Sequence, residues 1–131
     1  MEVRIVNTKD FYDTMVEWWE GQGFPVVSPS LMPENTFVCY SSDNTPIYSC
    51  CFYNTDSNLC WLAWQIANPS ATKEQKKGGL LDLFKEIEKY AAYVGYQVVF
   101  TTSHTPSVEA KLLERKFHVG DEGVNHYIKL L

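Results

Sequence analysis

The apolar positions change period several times along the chain, and each change marks an element. "EVRIV" alternates and predicts a short first strand. From Asp10, "DFYDTMVEWWEGQG" sets Phe11, Met15 and Trp18 on one helical stripe, with Tyr12, Val16 and Trp19 beside it, and ends at a glycine. "FPVVSPSLMPEN" carries Pro25, Pro29 and Pro33, which predicts an irregular loop. "TFVCY", "PIYSCCFY" and "LCWLAWQI" are rich in β-branched and aromatic residues and are separated by the turn segments "SSDNTP" and "NTDSN", so they predict an antiparallel meander.

Pro69 closes the third meander strand. In the helix that follows, Leu80, Phe84, Ile87, Ala91 and Val94 step by four and three along one face until Gly95. "QVVFTT" predicts a short buried strand, and "PSVEAKLLERK" a helix with Pro106 near its first turn. The tail "FHVGDEGVNHYIKLL" predicts two strands around a glycine-containing turn. The predicted order is β-α-loop-β-β-β-α-β-α-β-β, an α+β fold with helices on both faces of a mixed sheet. No linker or repeat divides it, so residues 1–131 are expected to form a single domain.

Composition narrows the functional classes. Hydrophobic residues make up 45% and charged residues 21%, and no apolar run approaches the roughly 20 residues of a membrane span. The start "MEVRIVNTKDF" lacks the basic and apolar regions of a signal peptide, so a cytoplasmic chain with no membrane partner is expected. A formal net charge of −5 argues against broad nucleic-acid binding, which needs a basic face to displace counterions. Cys39, Cys50, Cys51 and Cys60 all fall in strand-like segments without zinc-like spacing; they read as buried reduced thiols, and no metal is expected.

One stretch goes against its local physics. "TKEQKKGG" (72–79) places Lys73, Lys76 and Lys77 at a helix start, where free N–H groups already carry about half a positive charge. Gly78 and Gly79 each cost about 1 kcal/mol relative to alanine within a helix, but they permit close backbone approach. An anion resting on the helix start would reconcile both features. Thr72 and Gln75 also spell a capping box. Either Thr72 caps the helix and the glycines fall in its second turn, or the loop runs on to Gly78. The spacing matches neither a P-loop nor a dinucleotide fingerprint. A solvated lysine-rich helix end with an incidental glycine pair is the bland alternative.

The element order together with "QKKGGL" (75–80) resembles the GNAT superfamily of N-acetyltransferases, and the resemblance covers essentially the whole chain. That family's acetyl-coenzyme A motif is Gln/Arg-x-x-Gly-x-Gly/Ala; Gln75 and Gly78 match it, and Leu80 stands where Gly or Ala is usual. "AWQIANP" (63–69) is similar to the family's fourth strand and following proline, and the insert between Pro69 and Gln75 looks like that of small single-domain members found in bacteriophages.

The resemblance implies acetyl-CoA as cosubstrate, no metal, and direct transfer to a primary amine. It implies that Ile66 and Ala67 offer backbone groups to the pantetheine and that Lys73, Gln75, Lys76, Lys77, Gly78 and Gly79 receive the phosphates. Ser103, His104 and Thr105 would flank the thioester, and Trp19, Phe24 and Trp61 would wall the acceptor pocket. Trp61 and Trp64 are expected on opposite faces of their strand because side chains alternate.

Two usual proton-handling residues are missing. "LCWLAWQI" holds no Asp or Glu, and "KLLERKF" has Leu112 or Leu113 where a tyrosine is common. His104 and, less directly, Tyr53 are the remaining candidates. The acceptor is left open between a small-molecule amine, a protein amine and an amine-bearing modified nucleobase, and family members often form homodimers. A domain that keeps the fold and coenzyme A but does not catalyse is the second reading. An unrelated α+β interaction module is the third.

Overall fold

In the computed structural model, which describes residues 1–131, five strands form one sheet in chain order. Strands β1 (Glu2–Asn7), β2 (Asn35–Tyr40), β3 (Pro46–Tyr53) and β4 (Leu59–Ala67) are antiparallel neighbours; β5 (Val98–Thr101) joins β4 in parallel. The parallel pair requires a crossover, and helix α3 (Gly79–Tyr93) supplies it.

Helix α1 (Thr8–Gln22) starts directly after β1 because Asn7 caps it, its side chain accepting from the Lys9 N–H at 3.0 Å. Gly23, at φ 76°, ends it in the left-handed region. Its stripe of Phe11, Met15, Trp18 and Trp19 buries against Val38, Cys51 and Ile66 on one face of the sheet. The proline-rich stretch that follows is irregular apart from a single 3₁₀ turn at Pro29–Leu31.

On the other face, Leu80, Leu83, Phe84, Ile87 and Ala91 of α3 pack with Phe37, Ile47, Phe52 and Leu62. Tyr90 stands edge-on to both Phe37 and Phe52, at 5.4 and 5.3 Å. Helix α4 (Pro106–Glu114) adds Leu112 to this layer, and Arg115 at its end holds Glu88 of α3 through two bonds of 2.9 and 3.0 Å. The stripe predicted for α3 is buried except for Val94, which lies past the helix end and is exposed.

All four cysteines are free and fully buried. Burial pushes the Cys39 and Cys51 thiols up to about 11 and raises those of Cys50 and Cys60.

The two strands predicted for residues 117–131 do not form. Phe117 packs near Phe84, at 6.2 Å, but Val119, Val124, Tyr127, Ile128, Leu130 and Leu131 are exposed. The alternation in this tail is real, yet a strand requires a partner, and Gly120 and Gly123 interrupt the segment where a ladder would begin. β5 is therefore the edge of the sheet.

Candidate active site

Pairing between β4 and β5 runs from Leu59↔Val98 to Leu62↔Thr101 and stops, whereas β4 continues to Ala67. Thr101 braces the point of separation. Its hydroxyl donates to the Leu62 carbonyl at 2.9 Å and accepts from Gln65 Nε2 at 2.6 Å. Beyond it, the β5-side edge of β4 has no strand partner.

The separation coincides with a bulge. Register passes from Cys51↔Ala63 to Ser49↔Ile66, so β4 spends one residue more than β3. Trp64 sits there at φ 59°, a left-handed conformation that bulky side chains rarely adopt. The extra residue reverses side-chain parity. Leu62 faces α3 and Ile66 faces α1, although regular alternation would put both on one face. For the same reason Trp61 and Trp64 do not lie on opposite faces: both contact Tyr53, Trp61 by its ring at 5.1 Å and Trp64 by donating from Nε1 to the hydroxyl at 2.8 Å.

The stretch 72–79 combines both alternatives left open by the sequence. Thr72 caps a short helix, α2 (Lys73–Lys76), through a complete capping box with Gln75, its hydroxyl accepting from the Gln75 N–H at 3.1 Å. The chain then turns extended at Lys77, and α3 begins afresh at Gly79. The lysines thus precede the long helix rather than occupying its first turn.

Each glycine meets a different demand. Gly78 takes φ 78° as the N-cap of α3, with open space around it. Gly79 is buried, and a Cβ there would lie 2.7 Å from Ile47 Cδ1 and 3.2 Å from Tyr48 Cδ2. The close approach expected toward a ligand is, at Gly79, an approach to β3. No side chain caps α3, and the backbone N–H groups of Gly79, Leu80 and Leu81 have no acceptor within the protein.

Around this helix start, Lys73 and Lys77 are exposed, Lys76 is half-buried, and none forms a salt bridge. The side chain of Gln75 is committed elsewhere. Its Oε1 accepts from the Thr72 N–H at 2.9 Å and its Nε2 donates to Asp43 Oδ2 at 3.0 Å. Hydrogen bonds from Ser41, Gln75 and Thr45 hold the Asp43 carboxyl down at about 2. Gln75 therefore anchors α2 to the β2–β3 turn.

On β4, the Ile66 side chain belongs to the α1 core. The Ala67 carbonyl accepts from Gln22 Nε2 at 3.2 Å. Ser103, His104 and Thr105 follow β5 beyond the separation. Ser103 Oγ accepts from the Thr105 N–H at 3.2 Å, whereas His104 is exposed and makes no side-chain hydrogen bond.

The pocket wall differs from expectation. Trp19 is buried to 3% exposure in the α1 core beside Tyr12, so it presents no ring to a ligand; Trp18 is buried likewise. Phe24 is exposed just past α1, and Trp61 is partly buried. The Tyr53 hydroxyl donates to the Leu31 carbonyl at 2.9 Å, and burial raises its pKa. Trp64, bonded to Tyr53, and Phe100, the register partner of Trp61, lie on the same face of the sheet. Only the bulge brings Trp64 there, and no local pattern announces a bulge.

No family model and no curated protein sequence matches the chain. Its structure is nevertheless similar over its whole length to solved acetyltransferases. A "probable acetyltransferase" is 10% identical with TM-score 0.73, over 100% of this chain and 99% of the other. An aminoglycoside acetyltransferase from an uncultured soil metagenomic sample, solved with sisomicin, is 15% identical with TM-score 0.67, over 99% and 95%. The ribosomal-protein-alanine N-acetyltransferase of Brucella melitensis is 10% identical with TM-score 0.65, over 99% and 100%. At such identities the likeness is one of fold, and the fold of this chain is that of the GNAT acetyltransferases.

Proposed function

We propose that this chain is an acetyl-CoA-dependent N-acetyltransferase acting on a primary amine. The observation that carries the reading is the succession along the chain of two backbone features, one left without a strand partner and one without a side-chain cap. The unpaired edge of β4 beyond Leu62 leads through Pro69 and α2 to the uncapped start of α3. A strand edge suits an amide-bearing arm, and a helix start suits phosphates. In this reading Ile66 and Ala67 hold the pantetheine by backbone groups. The N–H groups of Gly79, Leu80 and Leu81, with Lys73, Lys76 and Lys77, hold the phosphates, and Gly78 gives the turn its shape.

Acetyl-CoA, when bound, supplies the acetyl group as a thioester: an N–C bond forms at the amine, the C–S bond breaks, and coenzyme A leaves as its thiol. The protein's part is to orient the amine and let it lose a proton. β4 has no carboxylate, and the Tyr53 hydroxyl is held by Leu31 and Trp64. Water, or His104 at the mouth beside Ser103 and Thr105, takes the proton. The engagement of Tyr53 and the exposure of His104 also favour the second reading, a coenzyme A-binding domain without catalysis.

The acceptors named for proteins of this fold include an aminoglycoside and a ribosomal protein, so both small and protein amines are compatible with it. Saturation with acetyl-CoA at about 100 times Kd should add about 2.7 kcal/mol of stability. No rise in Tm would defeat both coenzyme A readings. A rise that persists in Lys76→Ala/Lys77→Ala would defeat the phosphate assignment. Binding without thiol release from any amine would favour the non-catalytic domain, and His104→Ala with full activity would remove His104 from proton transfer.

A further inference from the structure

Tyr53, Trp61 and Phe100 stand in one row across three adjacent strands. Tyr53 is the register partner of Trp61 on β3–β4, and Trp61 of Phe100 on β4–β5. Register partners share a face of the sheet. The Tyr53 and Trp61 rings lie 5.1 Å apart and only 34° from parallel. Val99 packs into the α3 core, so Phe100 is turned to the opposite face, where it is 49% exposed. The row ends one residue before the separation of β4 from β5, beside the cleft already described.

The polar atoms of this row are unequally served. Trp64 Nε1 donates to the Tyr53 hydroxyl, which donates to the Leu31 carbonyl. Trp61 Nε1 is buried and has no partner. An indole N–H can only donate, and buried donors without an acceptor are rare in native structures. Something that brings an acceptor to Trp61 would complete the site. No carboxylate occurs on β4, on β5 or in residues 24–33, so the strands and loop around the row carry no counter-charge of their own for a polycationic amine.

We propose that Tyr53, Trp61 and Phe100 form an aromatic shelf selecting acceptor amines borne on a planar aromatic ring that carries a hydrogen-bond acceptor, received by Trp61 Nε1. The proposal rests on the acyl-transfer reading and adds the acceptor's chemical class to it. The ring stacks over the shelf, as offset aromatic pairs do, with its amine directed to the separation of the strands.

Tyramine, 2-phenylethylamine, 2-cyclohexylethylamine and spermidine, each compared by thiol release at saturating acetyl-CoA, test it. The expected kcat/KM order is tyramine, phenylethylamine, cyclohexylethylamine, with spermidine last. Trp61→Phe keeps the ring and loses the N–H, so the tyramine-to-phenylethylamine ratio should fall about tenfold, the worth of one hydrogen bond. Phe100→Leu, on the sheet edge, should narrow the preference for phenyl over cyclohexyl. Equal turnover of the phenyl and cyclohexyl amines, or a ratio unmoved by Trp61→Phe, would overturn the shelf. If acetyl-CoA does not raise Tm, the acyl-transfer reading fails separately, and tyramine titrated into the protein alone decides the shelf. Quenching of tryptophan emission, weakened by Trp61→Phe, supports it. A shelf already covered by residues 117–131 or by a second copy gives no quenching and overturns it.

Discussion

Leu62 and Ile66 lie four residues apart on β4, yet one buries against α3 and the other against α1. A single extra residue produces this relationship, and removing it should leave both faces correct. Deletion of Trp64 places the two three apart, where regular alternation again sends them to opposite sides. The deletion variant is therefore expected to fold, at a cost below about 3 kcal/mol by urea denaturation. It should also lose most of the thermal shift proposed for acetyl-CoA, because β4 is straightened. An unfolded deletion variant would contradict the parity argument.

The paired glycines should respond differently to alanine. Gly78→Ala forces a Cβ into the left-handed region without a clash, for about 1–2 kcal/mol. Gly79→Ala meets Ile47 Cδ1 and Tyr48 Cδ2, an overpacking worth about 1–3 kcal/mol. Ile47→Val removes the nearest atom, so the double variant should be more stable than the sum of the single losses predicts. Strict additivity in a double-mutant cycle would show that the contact does not matter.

Tyr53→Phe strips the acceptor from Trp64 Nε1 and the donor from the Leu31 carbonyl. A loss of about 1–2 kcal/mol in stability is expected. The pH dependence of the proposed acetyl transfer should not change, because a hydroxyl engaged on both sides and raised in pKa by burial is a poor proton relay. A basic limb that disappears in the variant would assign proton transfer to Tyr53 after all.

Acid should weaken the anchor of α2. The Asp43 carboxyl is lowered from 3.8 to about 2 by hydrogen bonds from Ser41, Gln75 and Thr45. A group with a depressed folded pKa contributes stability above its unfolded value and loses it as pH falls through the folded one. The urea midpoint should therefore drop between about pH 4 and pH 2, and Asp43→Asn should flatten that part of the profile. An identical profile in the variant would remove Asp43 from the acid response.

Much of the fold was legible because the periods were clean. The α1 and α3 stripes and the three-strand meander appear where alternation and turn residues place them, and α1 and α3 cover opposite faces. The tail failed because Val119 to Leu131 carries a strand pattern without a partner, and pairing is not a local property. At 72–79 the sequence presented two helix starts as alternatives, and the chain uses both. Gln75 illustrates what spacing cannot reveal: its partner Asp43 lies 32 residues away on another turn. A helical stripe does not say which of two adjacent tryptophans, if either, escapes the core, and here both Trp18 and Trp19 are buried.

The buried cysteines also bear on how the chemistry can be watched. Cys39, Cys50, Cys51 and Cys60 are shut away from solvent and shifted toward the protonated form. A disulfide reagent needs an accessible thiolate. The native chain should therefore stay silent toward such a reagent at neutral pH and reveal four thiols only on unfolding. In an assay of the proposed acyl transfer, every colour change can then be counted as released coenzyme A, and the protein's own silence reports that it remains folded.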